Sequence, residues 1–282
     1  MSKRQPGTGD SKILSDLQTF GFASVDYPVW LTGLVTSLMR SWKKFCELPT
    51  NTKSLFTYSG DMGSGYEFKN EAGEGRDRKE NFHFTIEDMT RHFEIMVENN
   101  IDSDLVSNAQ AILCSIRSPI LKFAETLGQE LNLPGLDTEA YMSWQKWFLR
   151  CLHYFGGRIP EEVIASHHAD KAGFTAYLGE SCTGVQYLDW NKEWKDMPVR
   201  PGKMIITPNM QLQYKTKGKL TALYHRVVAT EESKVAGRDS IVCFIPFLHT
   251  PQYNKERYGR MQDLPLGFNY GLSRRKFAKY FV

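Results

Sequence analysis

The chain has 282 residues, 41% hydrophobic and 13% aromatic, which is enough for one substantial core, and its formal charge is only +3. A charge this small and this dispersed argues against a nucleic-acid surface, and no apolar run reaches the length of a membrane-spanning helix. Five cysteines, widely spaced and without a Cys-x-x-Cys pair, argue against a disulfide framework and, with an amino terminus that lacks a secretory apolar stretch, lead to an expectation of a cytoplasmic protein with reduced thiols.

A polar leader to about Asp10 is expected to precede a helix and a strand around Leu17 to Phe22. Residues 28 to 50 carry Val29, Leu31, Leu34, Leu38, Trp42 and Phe45 at helical spacing and end near Pro49. From Tyr58 to Arg78 the chain is rich in Gly and charge and reads as a long loop. Helices are expected over Asp88 to Glu98 and Ser103 to Leu131, the second kinked or split at Pro119. From Tyr141 to Phe247 short strand-like runs separated by Gly-Gly, Pro-Gly and Lys-Gly turns give the pattern of an antiparallel sandwich or barrel. The end of the chain alternates Arg274, Arg275, Lys276 and Lys279 with Phe277, Tyr280 and Phe281, the composition of an amphipathic helix covering a barrel mouth. One domain is expected over 1–282, with a helix-rich part at 1–140, a β core at 141–250 and a helical cover at 251–282.

Within the β region, His168 and Asp170 are two apart and share one face of a strand, with His167 facing the other way. The run from Leu220 to Val228 reads as a second strand carrying His225. Two histidines and one carboxylate on one face of a metal leave the opposite face open, as non-haem iron(II) oxygenases require. Arg238 and Ser240 repeat the two-apart spacing ahead of the apolar run to Ile245. A buried guanidinium needs an anion, and with a hydroxyl beside it fits a carboxylate. His83, His92, His153 and His249 have no carboxylate at ligand spacing and read as structural or surface residues.

Six landmarks in order carry a family resemblance: Leu149-Arg-Cys-Leu-His-Tyr154, His168-x-Asp170, Gly184-Val-Gln-Tyr187, Trp194-Lys-Asp-Met-Pro198 with Pro201-Gly202, His225-Arg-Val-Val228 and Arg238-x-Ser240. The chain resembles the 2-oxoglutarate and iron(II)-dependent dioxygenases of the isopenicillin N synthase-like group. It departs from the pattern at Phe155-Gly156-Gly157-Arg158, where many members have prolines, and by a modest hairpin insertion between His225 and Arg238.

The resemblance implies a mainly β fold with flanking helices, a double-stranded β-helix or jelly roll whose mouth holds the metal. It implies His168, Asp170 and His225 as catalytic iron ligands, and Arg238, Ser240 and Tyr154 as residues that hold 2-oxoglutarate. Tyr66, Phe82, Phe84 and Phe244 are the candidate substrate walls. The implied cofactors are Fe(II), 2-oxoglutarate and O2, with ascorbate a candidate reductant, and the implied partner is a small organic molecule, with no nucleic acid and no membrane. The implied reaction couples decarboxylation of 2-oxoglutarate to oxidation, most commonly hydroxylation, of that substrate. Two alternatives stand beside it: an iron oxidase of the same fold that does not use 2-oxoglutarate, and a non-catalytic metal-binding relative.

Overall fold

The computed structural model describes residues 12–58, 63–70 and 78–281; the expected polar leader lies outside them. Helix α1 (Ile13–Phe20) ends at Gly21, whose left-handed φ of 81° lets the chain reverse into strand β1 (Ala23–Asp26). Helix α2 (Val29–Cys46) follows, with Leu31, Val35, Leu38, Trp42 and Phe45 buried along one stripe. The segment expected to be a loop instead contributes β2 (Gly65–Asn70), paired antiparallel with β3 (Arg78–Thr85). Its charged residues suit a strand here because β2 runs at the edge of the sheet.

Helices α3 (Met89–Glu98) and α4 (Asp104–Leu131) come next. Pro119 lies inside α4 without ending it. A proline removes one backbone donor, but the apolar stripe Ile112, Ile116, Ile120, Phe123 and Leu127 is buried on both sides of it, and that packing holds the helix together.

The remaining strands are β4 (Phe148–Tyr154), β5 (Val163–Ala169), β6 (Phe174–Glu180), β7 (Val185–Leu188), β8 (Trp194–Asp196), β9 (Lys203–Pro208), β10 (Tyr224–Val228) and β11 (Arg238–Ile245). They form a seven-stranded sheet in the order β1-β9-β6-β11-β4-β3-β2 and a four-stranded sheet in the order β5-β10-β7-β8. Every pairing within these sheets is antiparallel. From β4 onward the chain changes sheets at every connection except β7 to β8, and the connection from β10 to β11 is one of these, so the segment after His225 is a crossover between sheets and not the expected hairpin. This is a jelly roll with helices on one side.

The large sheet is covered on both faces. Leu149, Cys151, Ile241, Cys243 and Ile245 point outward into the core built with α2 and α4. The alternate residues Leu152, Tyr154, Val242 and Phe244 point inward and meet Ile164, Val185 and Val227 of the small sheet. On β3 the outward set includes Phe82 and Phe84, whose rings stack at 4.3 Å, and Phe45 of α2 meets Phe82 edge-on at 5.2 Å. Tyr66, opposite Phe82, packs on Phe45 and donates its hydroxyl to Glu80 at 2.7 Å, beside the buried Lys53–Glu80 ion pair. Tyr66, Phe82 and Phe84 are therefore core residues on the helix side of the sheet, which corrects their expectation as substrate walls. The carboxy-terminal aromatics Phe277, Tyr280 and Phe281 pack with Tyr253 and Phe268, and that cluster includes Tyr224 of the small sheet.

Candidate metal centre

Strand pairing brings the two distant histidines together, since His225 on β10 lies opposite His168 on β5. Asp170 follows directly after β5. One ligand atom from each of His168, Asp170 and His225 lies within 4.8 Å of the others. His168 Nε2 is 3.6 Å and His225 Nε2 is 4.0 Å from Asp170 Oδ1.

Each ligand is oriented by a second contact. His168 Nδ1 is 2.8 Å from the Ser166 carbonyl and His225 Nδ1 is 3.4 Å from the Leu223 carbonyl. A carbonyl can only accept, so both Nδ1 atoms carry the proton and both Nε2 lone pairs are left facing the centre. Asp170 Oδ2 accepts the Thr175 hydroxyl at 2.7 Å, and Asn209 Nδ2 in turn donates to that hydroxyl oxygen at 2.8 Å. This chain fixes the carboxylate and leaves Oδ1 turned toward the imidazoles.

The electrostatics keep His168 and Asp170 in their ligating states. Burial, and then the neighbouring His225, hold His168 down to about 4, so its imidazole stays neutral through mildly acidic conditions. Burial alone would raise Asp170, but His225, His168 and the Thr175 hydrogen bond outweigh it and hold the carboxyl below the usual range. Two imidazole nitrogens and one carboxylate oxygen fit a non-haem iron(II) site. His167 turns to the other face of β5, where its ring lies 6.0 Å from that of Tyr224. Replacing Thr175 by Val keeps the shape and removes the hydrogen bond to Asp170. Iron(II) affinity, measured by competition with a chelator, should fall about ten- to a hundredfold.

Two cavities meet at this centre. A narrow inner one, about 60 Å³, lies between the sheets and is lined by Tyr154, Arg238 and Ser240 as well as by His168, Asp170 and His225. A wider outer one, about 660 Å³, opens at the mouth and shares Arg150, His168, Asp170 and Phe244 with the first. Its far wall comes from residues 252–253, 255 and 259–263, so the segment that borders the mouth precedes the basic carboxy-terminal cluster named from the sequence.

Among the sequence candidates, Tyr154, Arg238, Ser240 and Phe244 line these cavities, and Tyr66, Phe82 and Phe84 do not. Arg238 lies opposite Tyr154 on β4, and Ser240 lies between Leu152 and Glu180. The guanidinium is 2% exposed and bonded to the Glu180 carboxylate, so an internal anion is already present where the sequence anticipated only an external one. Burial raises Glu180 above its ordinary range in spite of Arg238 beside it. Arg238 Nε has no hydrogen-bond partner among the described residues.

Gly184, the first residue of the Gly-Val-Gln-Tyr landmark, has φ 137°, and a Cβ there would lie 2.6 Å from the Val228 carbonyl oxygen and 3.3 Å from Arg238 Nε. Only glycine allows the chain to pass so close to the arginine. Residues the sequence reading did not single out are Lys79, Arg150, Thr175 and Tyr177, all on the wall of the inner cavity. Lys79 lies opposite Tyr154, with its ammonium 5.2 Å from the Tyr154 ring centre. The Arg150 guanidinium lies over the Phe244 ring at 4.8 Å.

Residues 148–246 match the model of the 2OG-Fe(II) oxygenase superfamily. An Arabidopsis thaliana protein named 1-aminocyclopropane-1-carboxylate oxidase homolog 9 is 28% identical over 134 residues, covering 46% of this chain and 35% of that protein. The match thus spans about a third of that relative's length. A Caulobacter crescentus protein assigned to the 2OG-Fe(II) oxygenase family superposes with a TM-score of 0.72 at 20% identity, over 96% of this chain and 92% of the other. A full-length Neurospora crassa protein, solved in complex with alpha-KG and thymine, gives 0.71 at 17% identity over 96% and 89%. The rice dioxygenase for auxin oxidation gives 0.65 at 19% identity over 85% and 80%. At these identities the structural likeness establishes the fold.

Proposed function

We propose, on the premise that residues 148–246 belong to the 2OG-Fe(II) oxygenase superfamily, that this chain is a non-haem iron(II) oxygenase that consumes 2-oxoglutarate to oxidise a small organic substrate. His168, Asp170 and His225 would hold the iron, Arg238 and Ser240 the distal carboxylate of 2-oxoglutarate, and Tyr154 would help at its other side. The observation that carries the reading is that the three ligand atoms converge on one side of a cavity whose other wall holds Arg238 and Ser240. With metal, 2-oxoglutarate and O2 bound, the chemistry supplied there is oxidative decarboxylation to succinate and carbon dioxide coupled to attack on a substrate C–H bond.

The protein's own contribution is placement. The two carbonyls and Thr175 fix the ligands before any metal arrives, which removes reorganisation from binding. Arg238 offers a planar, permanently charged fork, and the Ser240 hydroxyl adds a further donor at the next same-face position of β11. Phe244 and Arg150 stand where the two cavities join and confine the substrate's reacting carbon near the metal position. The Neurospora crassa protein, which holds alpha-KG and thymine together, is consistent with this division between a co-substrate and a substrate chamber.

The test is anaerobic titration of the iron-loaded protein with 2-oxoglutarate, followed by the visible charge-transfer band that chelation produces. A saturable band that requires iron supports the reading. Iron binding without a band would replace it with the oxidase that does not use 2-oxoglutarate, and failure to bind iron would leave a non-catalytic relative.

A further inference from the structure

The outer cavity has a charge that the proposed reaction does not call for. Among the described residues, Lys69, Arg150, Lys171, Lys255 and Arg260 line it, against two carboxylates, Asp170 and Asp263. Asp170 is turned into the metal centre and Asp263 is paired with Arg260 at 3.3 Å. Lys69 has Glu67 at 3.4 Å. Lys171 and Lys255 have no acidic group within ion-pair distance among the described residues. The Lys171 ammonium is 5.8 Å from the ring of Tyr253, and Tyr253 is buried, so that lysine is placed against a fixed wall.

Cations gathered around a concave, low-dielectric surface repel one another and focus a positive potential into the space between them. They come from β2, from β4, from the turn after β5 and from the carboxy-terminal segment, so no one solvated helix face explains the cluster. The same cavity carries apolar faces in Phe148, Phe244 and Met261. The geometry points to a primary substrate that is an organic acid with an apolar body, its carboxylate or phosphate held by Lys171 and Lys255 at the mouth and its carbon skeleton laid along Phe244 toward the metal position. This deepens the oxygenase reading and rests on it for the reaction, but the charge preference stands on the cavity wall alone.

The experiment is calorimetric titration of the full chain, loaded with iron and 2-oxoglutarate without oxygen, using phenylacetate, phenyl phosphate and the neutral phenylacetamide. At least one of the two acids should bind tenfold or more tightly than the amide, and the tighter of the two names the acid group. In Lys171→Gln/Lys255→Gln that advantage should disappear, and in Lys255→Glu it should reverse. Equal binding of acid and amide, absence of binding by any probe, or an advantage that survives both variants would overturn the inference. Acid preference in a protein that binds iron but gives no charge-transfer band with 2-oxoglutarate would keep the inference and remove the oxygenase reading.

Discussion

Replacing His225 by Ala should abolish high-affinity iron binding and all turnover while the fold persists. The three candidate ligands come from two adjacent strands of the small sheet and the residue just after one of them, and His225 is the sole contribution of β10. Without it, His168 and Asp170 present two donor atoms from neighbouring positions, which cannot enclose a metal face. The loss should therefore exceed the ten- to hundredfold typical of removing an outer hydrogen-bond partner. The fold should survive because the imidazole borders an existing cavity, so water can occupy the space and no packed core collapses around it. Iron content after dialysis and the circular dichroism melt, measured on one preparation, check both halves. Stoichiometric iron in the variant would remove His225 from the ligand set.

Arg238→Ala should raise the 2-oxoglutarate concentration needed for half-maximal charge-transfer absorbance by about ten- to a hundredfold. That is the loss of a charge-assisted hydrogen bond worth roughly 1.5–3 kcal/mol. The same substitution strands the buried Glu180 carboxylate, which in a fully paired site would cost about 3–5 kcal/mol. Burial has already raised Glu180, so part of that cost is relieved by taking up a proton. The double substitution Arg238→Ala/Glu180→Gln separates the two roles. It should recover most of the melting temperature and none of the co-substrate affinity. Recovery of both would make Arg238 a structural partner of Glu180 and move the co-substrate anchor elsewhere.

Much of the centre was legible because its parts are local. The two-residue period of a strand puts His168 with Asp170 and Arg238 with Ser240, and it sends His167 and His153 to the other face. His153 indeed meets Asp239 at 2.8 Å on that side. The same rule would have found Arg150, which shares the face of Tyr154 within one quoted landmark.

Lys79 and Glu180 were not accessible in this way, because their place depends on which strands lie beside β4 and β11. The aromatic pair on β3 failed for a related reason. A strand between a helical layer and a polar chamber is buried on both faces, and here Lys79, Asn81, His83 and Thr85 face the interior while the phenylalanines face the helices. The usual rule that apolar side chains mark the inside points the wrong way on such a strand. Pro119 does not split α4, because the packing of the helix outweighs the local propensity.

The candidate metal ligands lie on or beside the four-stranded sheet, whereas Arg238 and Ser240 belong to the seven-stranded one. On the proposed assignment, 2-oxoglutarate with one end on the metal and the other on Arg238 is a crosslink between the two halves of the sandwich. Decarboxylation would remove only the carboxylate at the metal end and leave the span to Arg238 unchanged, so this bridge would break when succinate leaves and be remade when fresh co-substrate binds. Amide hydrogens of β5, β10 and β11 would then exchange in step with co-substrate occupancy, a mechanical signature of turnover that is independent of which substrate is oxidised.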